Sequence, residues 1–142
     1  MDKKEELFQL LSLVAMGLTG RIMDFCYKGM EIGRLIFCIH YIGFKNKCSM
    51  TDLADFLSLK PSTATRQLDK LVDDYQLVKR TVSSEDRRVV ELELTKLGRE
   101  VYYHHKEMGE VPTNLILDHF SDGEQKIIKR ALQLMLSTFE EN

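Results

Sequence analysis

Residues 49–74 read SMTDLADFLSLKPSTATRQLDKLVDD, and this stretch predicts two helices joined by a short turn. Its first four residues form a capping box, in which the serine hydroxyl accepts a free backbone N–H, so a helix begins there and ends near Leu57. Pro61 suits the first position of the second helix, which runs to about Asp74, because no N–H is needed there. Two helices so closely joined are typical of a helix-turn-helix.

The second of these helices has an apolar face and a polar face. Its apolar face consists of Ala64, Leu68, Leu71 and Val72, at helical spacing. On the polar face, hydroxyls near the positive end of the helix dipole suit phosphate. An arginine there suits guanine, which it can bind through two hydrogen bonds. We therefore predict a DNA-binding face made of Ser62, Thr63, Thr65, Arg66, Gln67 and Lys70.

A hairpin is predicted directly after this helix-turn-helix, and such a hairpin is a wing. Two short β-rich runs, at about 77–82 and 89–94, flank a polar, charged loop. Arg87 and Arg88 at the tip of the loop are expected to reach DNA phosphates or a narrow minor groove, whose negative potential attracts arginine. We expect Asp86 to pair with one of these arginines and hold the wing in shape.

Further helical patterns flank the predicted winged helix. On the N-terminal side they span about 5–27 and 31–44, and on the C-terminal side a pattern spans about 95–120 with an irregularity near Gly109. A second capping box, at 121–124, begins a last helix. The first and last helices carry apolar arcs wider than one small winged helix covers, and apolar surface left in water costs about 25 cal/mol per Å². A two-fold partner would cover them.

The predicted fold class is therefore α+β, mainly α with a small β-hairpin. We expect a single domain, 1–142, with a winged helix-turn-helix at about 31–98 and dimerisation helices at about 4–28 and 99–142. A homodimer of this kind is expected to bind a pseudo-palindromic operator whose half-sites lie roughly one helical turn apart.

Charge and cysteine content agree with a DNA-binding protein of the cytoplasm. From Lys60 to Arg99 the chain has nine basic and seven acidic residues, a charge of +2, whereas the rest has 11 basic and 15 acidic residues, or −4. A locally basic surface fits double-stranded DNA. The three cysteines form no CxxC pair, which favours a reducing compartment. We find no signal peptide and no apolar run of roughly 18 residues, so we expect no membrane contact.

Other kinds of site receive less support. His104 and His105 are adjacent and would point about 100° apart on a helix, and no HxxxH or CxxC pattern occurs, so we expect no metal site and no cofactor. No phosphate loop, nucleophile elbow or HExxH is present, so we expect no catalytic residues and no enzyme. Two alternatives stay open: a redox- or metal-responsive regulator of the same fold, with Cys26 as a candidate sensor, and a winged-helix dimer acting as a protein-interaction module.

Five motifs, in order and spacing, carry a resemblance to a known family: Leu53-Ala54, the PSTATR of 61–66, the LVKR of 77–80, the DRR of 86–88 and the LTKLG of 94–98. Along essentially its whole length the chain resembles the MarR regulators. The resemblance implies a two-fold dimer, with the recognition helix in the major groove, wing arginines in the minor groove, and a small-molecule effector between the dimer helices and the winged helix. It also favours a transcriptional repressor.

The chain departs from the family pattern at two positions. Gln76 stands where the family usually has glycine after the recognition helix, so the turn must form without the residue best suited to positive φ. Ser83 stands where the wing commonly has aspartate. Both departures concern turn geometry and neither removes an expected DNA contact.

Overall fold

A computed structural model describes residues 2–20, 22–108 and 110–141. Its α-helices are α1 Lys3–Gly20, α2 Ile36–Lys45, α3 Met50–Phe56, α4 Pro61–Asp69, α5 Lys96–Met108, α6 Glu110–His119 and α7 Asp122–Glu141. Its strands are β1 Cys26–Tyr27, β2 Met30–Glu31, β3 Cys48–Ser49, β4 Val78–Val82 and β5 Val90–Leu94. A 3-10 turn, Gly33–Leu35, leads into α2, and a π-helical turn, Lys70–Asp74, continues α4. The fold is α+β, as the sequence predicts.

The core of the winged helix lies around α2. Three isoleucines of this helix, Ile36, Ile39 and Ile42, have no exposed surface. Leu68, from α4, and Leu92, from β5, are equally inaccessible, so the recognition helix and the wing share one core. Because the core fixes the apolar face of α4, the opposite face is directed away from the protein.

The wing is part of a three-stranded antiparallel sheet with strand order β3-β5-β4. Arg80 of β4 and Cys48 of β3 both lie opposite Leu92 of β5. The predicted hairpin is confirmed, but the sequence did not predict β3, because two residues are too short for an alternating pattern. This third strand ties the wing to the residues that begin α3.

The N-terminal helix is shorter than predicted. It ends at Gly20, and residues 26–31, where the pattern predicts the end of one helix, a break and the start of the next, form the β1–β2 hairpin. Lys28 and Gly29 have φ of 47° and 80°, the left-handed backbone that a two-residue hairpin turn requires. The irregularity predicted at Gly109 lies outside the described residues, although α5 ends and α6 begins on either side of it.

Both predicted capping boxes lie at helix starts. At α7 the box is complete: Ser121 Oγ accepts the Glu124 N–H at 3.3 Å, and Glu124 Oε2 accepts the Ser121 N–H at 2.8 Å. At α3 Ser49 Oγ accepts the Asp52 N–H at 3.0 Å. Ser49 also pairs with Glu91 in the sheet, so here a strand leads directly into a helix.

Helices α1 and α7 lie outside the core. None of their described residues is buried, although both helices are rich in large apolar side chains. In α1 the exposed apolar residues are Leu7, Phe8, Leu10, Leu11, Leu13, Val14, Met16 and Leu18. In α7 they are Ile127, Leu132, Leu134, Met135, Leu136 and Phe139.

Candidate nucleic-acid interface

The outward face of α4 presents hydroxyl and basic side chains. Ser62, Thr65, Arg66 and Lys70 are exposed, and Thr63 is half-buried. Of the described ion pairs, none involves Arg66 or Lys70. The helix thus offers hydrogen-bond donors and positive charge that take part in none of the described ion pairs.

The first turn of α4 leaves backbone donors free. Lys60 precedes the helix with extended backbone and provides no side-chain cap, and Pro61 has no N–H to satisfy. The Ala64 N–H donates to the Lys60 carbonyl at 2.9 Å, whereas the N–H groups of Ser62 and Thr63 have no acceptor within the described residues. Free N–H groups at a helix start, with the positive end of the helix dipole, suit a phosphate.

Gln67 differs from the other predicted contact residues in its location. It is half-buried, and its Oε1 lies 3.5 Å from the Sγ of Cys38 on α2, which donates to it. Gln67 is therefore on the flank of α4 that faces α2. The sequence pattern did not separate it from its neighbours, because it lies only one helical turn from Ala64, at the edge of the apolar face.

An ion pair joins the recognition helix to the wing. Arg80 Nη2 lies 2.7 Å from Asp69 Oδ1, so the guanidinium of β4 donates to the carboxylate at the end of α4. Neither residue was among the predicted site residues. Arg80 belongs to the LVKR motif, but its partner lies across a turn, beyond the reach of a local pattern.

The turn after the recognition helix forms with Gln76 in left-handed backbone, at φ 54°. Gln76 therefore adopts the left-handed conformation that glycine favours, at the steric cost usual for a residue with a Cβ. Two bonds hold this turn: the Leu77 N–H donates to the Leu71 carbonyl at 2.8 Å, and Thr95 Oγ1 donates to the Gln76 carbonyl at 2.7 Å.

The LTKLG motif packs the start of α5 against the same turn. Thr95 Oγ1 accepts the Gly98 N–H at 3.0 Å, and the Thr95 N–H donates to the Leu77 carbonyl at 3.0 Å. A Cβ at Gly98 would overlap the Leu77 carbonyl oxygen. The glycine therefore permits a close helix-to-backbone approach that positions both the wing and α4.

Ser83 organises the wing loop. It is buried, 7% exposed, and its Oγ accepts the N–H groups of Glu85 and Asp86 at 3.2 and 3.4 Å. Its own N–H donates to the Val89 carbonyl at 2.9 Å, which closes the loop. A serine hydroxyl thus stabilises the turn that begins the wing loop, as short polar side chains commonly do in turns.

Asp86 and the two arginines take different positions at the tip of the wing. Asp86 Oδ1 accepts the Arg88 backbone N–H at 3.0 Å and the Arg88 Nε at 3.3 Å. Arg87 is exposed and has no acidic partner within the described residues. Of the two arginines, the carboxylate thus holds Arg88 and leaves Arg87 projecting.

Two of the three cysteines are buried thiols. Burial raises the pKa of Cys38 and of Cys48 to about 11 in each case, with a neighbouring ionisable group adding to the shift. Since the thiolate is the reactive form, neither thiol is poised for oxidation. Cys26 is exposed on β1.

Two histidines on neighbouring helices form a close pair. His40 Nε2, on α2, lies 2.6 Å from His105 Nδ1, on α5. Burial, and then the neighbouring His105, lower the pKa of His40 to about 4. No cluster of three or more metal-ligating side chains occurs among the described residues. Within those same residues, no helix has the length and apolar character needed to cross a membrane.

A helix-turn-helix followed by a hairpin, built on one core, defines a winged-helix protein. A model of the MarR family matches residues 34–90, which run from the 3-10 turn before α2 to the first residue of β5. Over these residues the chain is similar to the MarR family of winged-helix transcriptional regulators.

Individual relatives are similar to this chain over nearly its whole length. The HTH-type transcriptional regulator BilQ of Clostridioides difficile strain CD3 is 25% identical over 139 residues, which cover 95% of this chain and 93% of that protein. Streptococcus pneumoniae FabT, solved in complex with DNA, matches with a TM-score of 0.69 and 25% identity over 97% of this chain and 95% of its own. The transcriptional regulator BldR of Sulfolobus solfataricus matches with a TM-score of 0.71 and 29% identity, over 97% of this chain and 99% of its own.

Proposed function

We propose that this protein is a sequence-specific DNA-binding repressor that works in the cytoplasm as a homodimer. The observation that carries the proposal is the joint presentation of two surfaces: the hydroxyl and arginine face of α4, and the arginine tip of the wing. The Asp69–Arg80 ion pair links the two elements that carry these surfaces. A dimer seated on a promoter would exclude polymerase sterically, which is why we propose repression.

In this proposal α4 enters the major groove. Arg66 reads guanine through two hydrogen bonds, since it projects from the face opposite the core. Ser62, Thr63 and Thr65 bind phosphate or base edges near the start of the helix, and Lys70 binds phosphate near its end. Gln67 acts differently: held by Cys38 on the flank of the helix, it reaches DNA only if that contact opens.

The wing enters the adjacent minor groove through Arg87. Narrow minor grooves concentrate negative potential, which favours an arginine without an acidic partner. Arg88 is paired with Asp86, so its main role is to shape the loop while its charge attracts the backbone. This division supports Arg87 as the inserted side chain.

The apolar faces of α1 and α7 support dimerisation. Residues as large as Phe8, 69% exposed, and Ile127, 69% exposed, lie on helices with no buried residue of their own. Contiguous apolar surface of this kind is the usual mark of an interface. We therefore propose a domain of 1–142 in which 31–98 binds DNA while 4–28 and 99–142 form the two-fold interface, with operator half-sites roughly one helical turn apart.

A small-molecule effector has a candidate location between the winged helix and α7. A mostly apolar cavity of about 330 Å³ lies there, lined in part by Phe37, His40, Tyr41, Phe44, Phe56 and Leu136. A ligand in this cavity would touch both the winged helix, through α2 and α3, and the proposed dimer helices, through α7. It would regulate binding only if its affinity differs between DNA-competent and DNA-incompetent spacings of the two recognition helices.

The test is selection of bound duplexes from a random-sequence pool, followed by affinity measurements across a salt series. We expect a pseudo-palindromic consensus and an affinity that falls steeply with salt, in proportion to the number of phosphates neutralised. Size measurement in solution checks the dimer. Absence of any enriched sequence, with weak salt dependence, would reject DNA recognition and favour the use of the same dimer as a protein-interaction module.

A further inference from the structure

The β1–β2 hairpin is attached to α5 on one side. The ring of Phe25, which leads into β1, meets the ring of His105 edge-on, with 4.9 Å between centroids. Lys28 Nζ, in the turn of the hairpin, lies 3.6 Å from Glu100 Oε2 on α5. The hairpin therefore has both an apolar and an ionic contact with the helix that follows the wing.

The same hairpin is attached to the end of the recognition helix on its other side. Tyr75 Oη donates to the backbone carbonyl of Glu31, on β2, at 3.0 Å. Tyr75 directly follows the π-helical turn that ends this helix, and its N–H donates to the Lys70 carbonyl at 3.0 Å. The Lys70 ammonium lies 5.4 Å from the centre of the Tyr75 ring.

We propose that Tyr75 is a positioning residue for DNA recognition, which holds the recognition helix at a fixed orientation to α5 through the β1–β2 hairpin. The inference rests on the proposed function and deepens it. In the proposed dimer, α5 belongs to the scaffold that separates the two recognition helices. A bond from the end of the recognition helix to that scaffold therefore sets where Arg66 meets a base.

The hydroxyl and the ring of Tyr75 have separable roles. The hydroxyl makes the bond to Glu31, whereas the ring lies beneath Lys70, a proposed phosphate contact. Base reading depends on placement within about 0.5 Å, whereas contacts to phosphate carry no sequence information directly. Loss of the hydroxyl alone should therefore reduce specific binding and spare non-specific binding.

The experiment compares Tyr75→Phe with Tyr27→Phe. Tyr27 is a matched control, because it lies in the same hairpin and its hydroxyl has no hydrogen bond among those of the described residues. The probes are a duplex that the parent protein selects from a random-sequence pool and a scrambled duplex of equal length and composition. Tyr75→Phe should bind the selected duplex about three- to tenfold more weakly, the effect of one lost hydrogen bond. Its affinity and salt slope on the scrambled duplex should match the parent, because no phosphate ligand is removed.

A second measurement follows the free protein. Amide hydrogens of residues 70–75 should exchange faster in Tyr75→Phe than in the parent, and at the parental rate in Tyr27→Phe. Unchanged binding of the selected duplex, an equal loss on both duplexes, or unchanged exchange would each overturn the inference while leaving the proposed function in place. A parent protein that selects no duplex would overturn both.

Discussion

Arg80 of the wing and Asp69 of the recognition helix form a hydrogen-bonded ion pair, with 2.7 Å between Nη2 and Oδ1. The pair bridges the two elements proposed to contact DNA, at the point where the α-helical part of the recognition helix ends. It lies outside the core, so it adds orientation to elements whose apolar faces are already packed. Its contribution to stability is correspondingly small.

We predict that Asp69→Asn lowers the free energy of unfolding by about 0.5–1 kcal/mol, because the two side chains are still 31% and 50% exposed and solvent screens the pair. Urea unfolding at low salt measures the change, which should shrink at about 1 M NaCl. Asp73→Asn, in the π-helical turn that follows Asp69 but without an ion pair among the described residues, is the matched control. An equal loss of unfolding free energy in both variants would mean that the negative charge stabilises the protein and that the ion pair with Arg80 does not.

Much of this fold was predictable because its signals are local. Pro61 marks the start of the recognition helix, and the apolar spacing of Ala64, Leu68 and Leu71 identifies the face that is buried. The charged loop between two β-rich runs identifies the wing. Each of these signals is complete within a few residues, so no knowledge of the tertiary structure is needed to read it.

The sequence did not reveal two kinds of feature. The first is contacts between residues distant in the chain, and the second is a turn formed by a residue type other than the usual one. Asp69 meets Arg80 across a turn, and Tyr75 meets Glu31 across 44 positions, so no local pattern contains either pair. Ser83 was noted only as a departure, since the turn-forming ability of its hydroxyl depends on its being buried beneath the loop. The DNA contacts themselves stay predictions.

Arg66→Ala should cost about 1–3 kcal/mol on the selected duplex if this arginine reads a base, and should relax specificity at one position of the half-site. Arg130→Ala, an exposed arginine of α7, removes the same charge from a helix outside the two proposed DNA-binding surfaces. Affinity for the selected duplex and for single-base variants of it measures both effects. An equal loss of affinity for all single-base variants of the duplex would indicate that Arg66 binds phosphate and does not read a base.

Removal of Arg87 and Arg88 together should weaken binding to every sequence and flatten the salt dependence, by about 0.9 in the log–log slope for each phosphate that is no longer neutralised. The single variants should differ, because Asp86 already holds Arg88. Arg87→Ala should reproduce most of the loss at A·T-rich positions, where the minor groove is narrow. Parental affinity in the double variant would show that the wing makes no DNA contact.

Gly98→Ala should destabilise the protein by about 3 kcal/mol or more, because the added methyl would overlap the Leu77 carbonyl oxygen, which cannot move without disturbing the turn after the recognition helix. Gly17→Ala is the control, since nothing lies within 4 Å of its ideal Cβ and the residue is within α1. There alanine should stabilise by about 0.5–1 kcal/mol. Urea unfolding of both variants measures these changes. A small loss of unfolding free energy in Gly98→Ala would contradict the close packing of α5 against the Leu77 carbonyl.

The His40–His105 pair should make the free energy of unfolding depend on pH in the mildly acidic range. The pKa of His40 is lowered from 6.5 to about 4, first by burial and then by His105, so the unfolded chain takes up a proton before the folded one. This contribution to stability is therefore present above pH 6.5 and is lost as the pH falls toward 4. Burial, followed by His104, lowers the pKa of His105 in the same direction.

Between neutral pH and pH 4 the parent should lose on the order of 2 kcal/mol more unfolding free energy than His40→Gln, after allowance for the solvent that still reaches the ring. Comparison with a variant is needed because carboxylates also titrate in this range. If His40→Gln and the parent lose the same unfolding free energy between neutral pH and pH 4, protonation of the imidazole pair does not affect stability. The contact between α2 and α5 then depends on packing alone.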